Sequence, residues 1–189
     1  VIRWWPPVAV AAMLLLGWAV GKGSTPVDDE FVRYTHDVVG TQPRWLLAFT
    51  DWWLLGPVLT ACVAAALYRR RWRLAAVVLV CPFATIAIDQ ALKRWFDRHN
   101  GDYLEYPSGH TALVVSVLGM VVLVTGGRRW ALAVAAVGSA LGALGLIACG
   151  YHYLTDTIGA VLLASAMVCL AAQVTGRVAP RGPSPPVDG

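Results

Sequence analysis

Residues 69–92 read RRRWRLAAVVLVCPFATIAIDQAL. A basic cluster ends at Arg73, and from Leu74 to Leu92 the chain carries a single formal charge, Asp89. An apolar run of this length is what a helix needs to cross the roughly 30 Å hydrocarbon core of a bilayer. Arginines at its start are what the positive-inside rule places on the cytoplasmic side. Working outward, the same alternation of apolar run and short charged cluster gives six segments, at 5–21, 46–68, 74–92, 109–125, 130–149 and 156–175.

The whole-chain composition agrees. Of 189 residues, 58% are hydrophobic and 14% charged, with a mean hydropathy of +0.61. Soluble domains run near 45–50% apolar and about a quarter charged, so there are too few charges here for a polar shell. Disorder, collagen and a disulfide-rich secreted scaffold are excluded by the same numbers. A soluble nucleic-acid binder is excluded too, because the basic residues behind the net +4 form no single stripe. The sequence predicts an all-α integral membrane bundle of six transmembrane helices, one domain over residues 1–178. Residues 179–189 are expected to be a disordered cytoplasmic tail.

Lysine and arginine set the orientation. With the N-terminus cytoplasmic, Arg3, the four arginines of 69–73, Arg128, Arg129, Arg177 and Arg181 fall inside, against Lys22, Arg33, Arg44, Lys93, Arg94 and Arg98 outside. That bias places both termini inside. Trp4, Trp5, Trp72 and Trp130 then lie near the inner interface, and Trp18, Trp45 and Trp95 near the outer one. The first segment is kept as a span, since no convincing small-x-small cleavage site precedes Lys22. The bias toward Ala, Val, Gly and Arg suggests a bacterial chain, hence a multi-pass protein of the cytoplasmic (inner) membrane.

The long outer stretch from Lys22 to Arg44 opens with Thr25-Pro26-Val27-Asp28, a capping-box pattern with Pro at the first helical position. Phe31, Tyr34 and Val38 then recur at helical spacing, predicting an amphipathic helix on the outer face between the first two spans. Its role is to cover that end of the bundle or to act as a lid. Cys62, Cys81, Cys149 and Cys169 fall in the spans with no CxxC and no metal spacing, so they are expected to be buried free thiols.

Polar residues in or beside spans are costly and mark candidate sites. Three groups stand out: Lys93-Arg94-Trp95-Phe96-Asp97-Arg98, Tyr106-Pro107-Ser108-Gly109-His110, and Gly150-Tyr151-His152-Tyr153-Leu154-Thr155-Asp156. The topology, chosen without reference to them, puts all three at the outer face. Pro107-Ser108-Gly109-His110 opens a helix, whose free N–H groups and positive dipole end favour an anion, with Gly109 allowing close approach. Lys93 and Arg98 add positive charge suited to phosphate. His152 and Asp156, four apart, can meet so that the carboxylate binds one ring nitrogen and leaves the other free as nucleophile or base. His110 is then available to protonate a leaving group. These parts amount to phosphoryl transfer without a metal.

At these residues the chain resembles the type 2 phosphatidic acid phosphatase family of membrane lipid phosphatases. That family carries a Lys followed by an Arg, a Pro-Ser-Gly-His stretch, and a His-x-x-x-Asp preceded by Ser-Arg. Pro107-Ser108-Gly109-His110 matches the second in full and His152-x-x-x-Asp156 the end of the third, over about residues 50–175. The resemblance implies that His152 attacks phosphorus, that Asp156 orients it, and that His110 protonates the leaving oxygen and later activates water. It implies that Lys93, Arg98, Ser108 and the Gly109 backbone hold the phosphate, with no cofactor and no divalent metal. Two departures stand against the pattern. Arg98 follows Lys93 more closely than the family's spacing and precedes His99 rather than Pro, and the Ser-Arg positions are Gly145-Leu146.

The remaining polar residues have plainer uses. Arg94 snorkels to the interface, and His36 and His99 are exposed loop histidines. Asp97, Asp102 and Glu105 are solvated loop charges or shape a headgroup site, and Asp51 meets the outer interface. Asp89, at i−4 to Lys93, pairs with it or does not. Tyr151 and Tyr153 flank His152 as pocket lining or as interfacial anchors. Asp89, Tyr151 and Glu105 are thus the candidates for support around the site. The expected function is hydrolysis of a lipid phosphate at the outer leaflet: a polyprenyl phosphate or pyrophosphate first, then phosphatidic acid or phosphatidylglycerol phosphate. The alternatives are a non-catalytic lipid-binding or transport protein with a relict site, and a lipid phosphotransferase. Membrane lipids are the expected surroundings; nucleic acid is not an expected partner.

Overall fold

The computed structural model describes residues 3–100 and 103–176; the tail expected at 179–189 lies outside them. The described residues form α1 (Trp5–Val20), α2 (Pro26–Val39), a 3-10 segment (Arg44–Thr50), α3 (Trp52–Tyr68) and α4 (Trp72–Phe96). There follow a two-residue hairpin of β1 (His99–Asn100) and β2 (Tyr103–Leu104), then α5 (Gly109–Thr125), α6 (Arg129–Ala148) and α7 (Leu154–Val174). The fold is all-α apart from that hairpin, in which His99 pairs with Leu104 and Asn100 with Tyr103.

Among the described residues, four helical stretches are long and apolar enough to cross a membrane: Arg44–Tyr68, Trp72–Phe96, Arg129–Ala148 and Leu154–Val174. Helices α1 and α5 are apolar but shorter, at 16 and 17 residues. At 1.5 Å per residue α5 covers about 25 Å, and the loop before it, with Glu105, Tyr106 and Ser108, is buried in the bundle. The span expected at 46–68 is a 3-10 segment that breaks at Asp51, in extended conformation, before α3 starts. The span expected to end at Leu92 continues through Lys93 and Arg94 to Phe96 and stops on left-handed Asp97 (φ 52°, ψ 40°).

Helix α5 is the axis of the bundle. Its Val114, Val117, Met120 and Leu123 pack on Leu55 and Leu59 of α3 and on Val78 and Cys81 of α4. Large apolar side chains such as Leu15, Trp18, Trp53 and Val137 are exposed, a pattern that suits a lipid solvent and would be a liability in water. Between helices in lipid, close packing rather than water exclusion holds the contact, which favours small residues. At the site end of the bundle, Tyr106 enters a slot between Gly17 of α1 and Gly159 of α7. A Cβ on Gly159 would lie 2.6 Å from its ring. Its hydroxyl donates to the Met13 carbonyl, and its ring meets Phe96 edge-on at 4.9 Å.

Helix α2 forms with the capping box expected: Thr25 Oγ1 accepts from the Asp28 N–H and Asp28 from the Thr25 N–H. Its orientation differs from a simple apolar cover. The side chains buried against the bundle are Asp28 and Thr35, while Val27, Tyr34 and Val38 are exposed. The apolar stripe faces away from the bundle, as in a helix lying in a membrane interface. The helix is held instead by polar contacts, including His36 Nε2 to the Ala148 carbonyl at the α6 C-terminus (3.0 Å). His36 is therefore a helix anchor rather than an exposed loop histidine.

Candidate active site

All three motif segments meet at one end of the bundle, around a cavity of about 850 Å³ lined by Lys93, Glu105, Gly109, His110, Tyr151 and His152, with Gln90 and Asn100. Each lining residue is placed by a local cause. Lys93 lies one turn before the end of α4, and its ammonium donates to the carbonyls of Leu104 (2.9 Å) and Glu105 (3.2 Å). It thereby holds the segment that leads into α5. Ser108 caps α5: its Oγ accepts from the Thr111 N–H (3.4 Å), while its own N–H donates to the Asp156 carbonyl (3.1 Å). The next two N–H groups, of Gly109 and His110, find no protein acceptor among the described residues. They are the free donors at a helix N-terminus that favour an anion.

The His110 and His152 rings face the cavity with centroids 6.1 Å apart. His152 is nearly buried, and its Nδ1 lies in close contact with Glu105 Oε2, although the two are not aligned as a hydrogen bond. Asp156 Oδ2 is 3.9 Å from the same nitrogen, beyond hydrogen-bond length. Burial, the largest influence on His152, disfavours its charge. Asp156 and Glu105 outweigh it and raise the imidazole above its ordinary value.

Asp156 is committed elsewhere. Its Oδ1 accepts from Arg98 Nη1 (2.8 Å) and its Oδ2 from the Tyr153 N–H (2.9 Å). Arg98 is buried completely. It also donates to Asp28 Oδ2 (2.8 Å), Thr155 Oγ1 (2.7 Å) and the Gly23 carbonyl (2.8 Å from Nη2), and stacks over the Tyr153 ring. Asp28 in turn accepts from the Thr155 N–H (2.9 Å) and hydroxyl (3.1 Å). Burial is again the largest influence and acts to raise the Asp28 carboxyl. Its bonds to Thr155, Thr25 and Arg98 together hold it below the usual carboxylate range.

Of the residues expected to hold phosphate, Lys93 and Gly109 line the cavity. Arg98 does not: two buried carboxylates and a carbonyl take its guanidinium inward. The Ser108 side chain is buried and serves the helix cap. Asp89 is fully buried, accepts from Gln90 Nε2 (3.3 Å) and makes no ion pair with Lys93, which turns to the backbone carbonyls instead. A Cβ on Gly109 would lie 3.0 Å from Asp89 Oδ2. Tyr151 is at the rim, more than half exposed. Glu105 is buried beside His152, the site-shaping alternative of the two left open for it.

No individual site role was read from the sequence for Asp28, Thr155, Gln90 or Asn100. The only signal at Asp28 was its capping box, which explains its backbone bond and not its burial. Glu105, His152 and Asp156 each bring a ligand atom within 4.8 Å of the others, the spacing of a metal trio. Arg98 already neutralises Asp156, and Glu105 already contacts His152. Asp156 is thus paired outside the trio, while Glu105 Oε2 and His152 Nδ1 touch without a hydrogen bond.

Comparison with known proteins bears on the family and the fold. Residues 76–179 match the PAP2 superfamily model. A crystal structure described as the first transmembrane PAP2-type phosphatidylglycerolphosphate phosphatase, from Bacillus subtilis, superposes with a TM-score of 0.74 at 17% identity. The match covers 94% of this chain and 98% of that one. No curated protein matches the chain. With more than half its length matched by the family model and its histidine pair around one cavity, the chain belongs to the PAP2 superfamily of membrane phosphatases.

Proposed function

We propose that this protein hydrolyses the phosphate from a membrane lipid at the outer leaflet, with His152 as nucleophile and His110 as general acid and base. The observation that carries the reading is the two histidine rings, 6.1 Å apart, over the free N–H groups of Gly109 and His110 in one cavity with Lys93. The Nδ1 edge of His152 is turned to carboxylates, which leaves Nε2 for the cavity. A phosphate seated on Lys93 and the start of α5 has its negative oxygens opposed by an ammonium and a helix dipole.

The Nε2 lone pair forms a bond to phosphorus as the ester P–O bond breaks, and His110 gives its proton to the departing lipid oxygen. Neutral His110 then takes a proton from water, whose oxygen bonds to phosphorus as the P–N bond breaks. Inorganic phosphate leaves, and both histidines regain their starting state. No step calls on a metal.

The chain is proposed to cross the membrane six times, α1 and α5 included, as one domain over residues 1–178. Both termini and the 179–189 tail are placed in the cytoplasm. A polyprenyl phosphate or pyrophosphate is the first substrate, since the groups gathered at Lys93, His110 and His152 suffice for a bare phosphate head. Phosphatidic acid and phosphatidylglycerol phosphate, whose glycerol could use Asn100 or Tyr103 at the rim, complete the panel.

The test is phosphate release from these lipids in detergent with EDTA present. Release is expected to persist in EDTA and to vanish in His152→Ala and His110→Ala, and vanadate should inhibit as a transition-state mimic. Turnover surviving in either variant refutes the roles given; loss in EDTA refutes the metal-free route.

A further inference from the structure

Gln90 is a carboxamide in the apolar run of α4 for which the proposed reaction has no use. Apart from Cys81, the run from Leu74 to Leu92 holds three polar side chains. Thr85 closes back on the Cys81 carbonyl (2.8 Å), and Asp89 is fully buried. Gln90 is exposed, on the wall of the cavity shared by the two histidines. Its Nε2 donates to Asp89 Oδ2 at 3.3 Å, and among the described residues the amide makes no other hydrogen bond. A polar group within a span is costly and calls for a cause. One long bond to the preceding residue leaves the amide carbonyl and the second N–H without one.

The cavity is stratified along α4. Lys93, Gln90 and Ile86 line it at i, i−3 and i−7, which is one face of the helix. At 1.5 Å per residue Gln90 lies about 4.5 Å deeper than Lys93, and Ile86 about 10 Å deeper. Helix α5 repeats the order, from His110 down to Leu113. Asn100 and Tyr103, on the hairpin, stand at the rim above Lys93. The amide is beside the start of α5: a Cβ on Gly109 would lie 3.7 Å from Gln90 Nε2. Charge at the top, a neutral amide below it and hydrocarbon at the bottom match a lipid phosphate lying head-up between α4 and α5.

In-line displacement puts the departing oxygen opposite His152 Nε2, on the side of His110. The tail runs toward Ile86 and Leu113, so the first atoms beyond that oxygen pass Gln90. We propose that Gln90 determines specificity by hydrogen-bonding the oxygen on the second carbon of a glycerol leaving group. Phosphatidic acid carries an ester oxygen there and phosphatidylglycerol phosphate a hydroxyl, and both accept from an amide N–H. A prenyl or simple alkyl phosphate presents carbon at that place and gains nothing. Gln90 thus adds glycerolipids to what a site for a bare phosphate head already takes. A group matched to a substrate oxygen discriminates against the analogue that lacks it. The inference rests on the lipid-phosphatase reading, with His152 as nucleophile.

The test is kcat/KM in mixed micelles, at equal mole fraction, for phosphatidic acid, phosphatidylglycerol phosphate, a polyprenyl monophosphate and hexadecyl phosphate. The enzymes are wild type, Gln90→Met, Gln90→Leu, Asn100→Ala and Tyr103→Phe, each with its unfolding temperature. Gln90→Met keeps the length of the side chain and removes both hydrogen-bonding groups. It is expected to lower kcat/KM for the two glycerolipids about 3- to 10-fold and to leave the prenyl and alkyl phosphates within about 2-fold, the effect of one neutral hydrogen bond. Gln90→Leu is expected to do the same. An amide that serves only Asp89 acts on stability and on all four substrates alike.

An equal effect on all four substrates overturns the proposal, as does an unchanged glycerolipid-to-prenyl ratio. So does a ratio lost in Asn100→Ala or Tyr103→Phe and kept in Gln90→Met, which moves the reading to the rim. Should neither Gln90 variant fold, wild type decides with a phosphatidic acid analogue carrying CH2 in place of the oxygen on the second carbon. Preference for the parent lipid by a similar factor supports Gln90, and equal turnover refutes it. Failure of the underlying reading shows separately, as no phosphate release from any of the four lipids by wild type or as turnover surviving in His152→Ala.

Discussion

Replacing Asp28 by alanine tests whether α2 is bolted to Arg98 and the start of α7. In the native structure the Asp28 carboxylate accepts from Arg98, from the Thr155 N–H and hydroxyl, and from the Thr25 N–H and hydroxyl, with its side chain fully buried. Removing one partner of a buried ion pair costs about 3–5 kcal/mol. Arg98 keeps Asp156 and the Gly23 carbonyl, which places the loss at the lower end, about 3 kcal/mol. For a chain of this size each kcal/mol moves the unfolding midpoint by about 2–4 °C, so Asp28→Ala should unfold about 6–12 °C below wild type in detergent at a matched scan rate. Asp28→Asn, which still offers an acceptor, should fall between.

The pH dependence has a defined sign. The Asp28 carboxyl is held below its unfolded value. Its contribution is therefore fully present above the unfolded pKa of about 3.9 and lost as pH falls through the folded one. The gap between wild type and Asp28→Asn should stay constant from about pH 7 to 5 and shrink below about 4. Asp29→Ala, at an exposed neighbour on the same helix turn, is the control and should shift the midpoint by no more than a degree or two. An Asp28→Ala midpoint within about 2 °C of wild type would mean that α2 is not held through Arg98, and the argument fails.

Other outcomes follow from the same contacts. Gly159→Ala puts a methyl 2.6 Å from the Tyr106 ring in a slot closed by Gly17, so it should cost about 1–3 kcal/mol and depress phosphate release by shifting the loop before Pro107. Tyr106→Phe, which loses only the bond to the Met13 carbonyl, should cost about 1 kcal/mol; a larger loss than in Gly159→Ala would contradict the slot. Lys93→Ala removes both a phosphate cation and the clamp on Leu104 and Glu105. It should lower kcat as well as raise KM, whereas a change in KM alone would reduce its role to binding. Tyr103→Cys in a cysteine-free background, exposed on β2, should react with an impermeant thiol reagent on intact cells. Labelling only after lysis would reverse the proposed orientation.

What the sequence discloses about this molecule is what is local in it. Apolar runs report the membrane because hydropathy is a property of a contiguous window, and Pro107-Ser108-Gly109-His110 reports a helix start because its caps lie within one turn. Thr25 and Asp28 were readable as a capping box for the same reason. The burial of Asp28 was not readable, because it depends on Arg98 and Thr155, which lie 70 and 127 residues away. The outward face of the α2 stripe was hidden likewise: Phe31, Tyr34 and Val38 announce an amphipathic helix, but an apolar face in a membrane protein has lipid as well as protein to choose from. Glu105 stood open between a solvated charge and a support for the site, because neither hydropathy nor spacing tells that Lys93 will draw its backbone inward.

Arg98 shows how a motif can be right about the place and wrong about the atom. Its position beside Lys93 suggested a second phosphate cation, and the usual third-motif arginine is replaced by Leu146. With Arg98 turned inward, the arginines expected at the phosphate are both absent from the cavity, and Lys93 is the lysine or arginine that lines it. On the proposed reading the phosphate is held by Lys93, two backbone N–H groups and whatever positive charge the histidines carry. Two of those contributions vary with pH and the others do not. Binding of a dianionic phosphate should accordingly tighten as pH falls, while attack by His152 Nε2, which needs that nitrogen unprotonated, weakens. The raised imidazole of His152 moves the crossover proposed here above an ordinary histidine's value, with phosphate affinity given up to reach it.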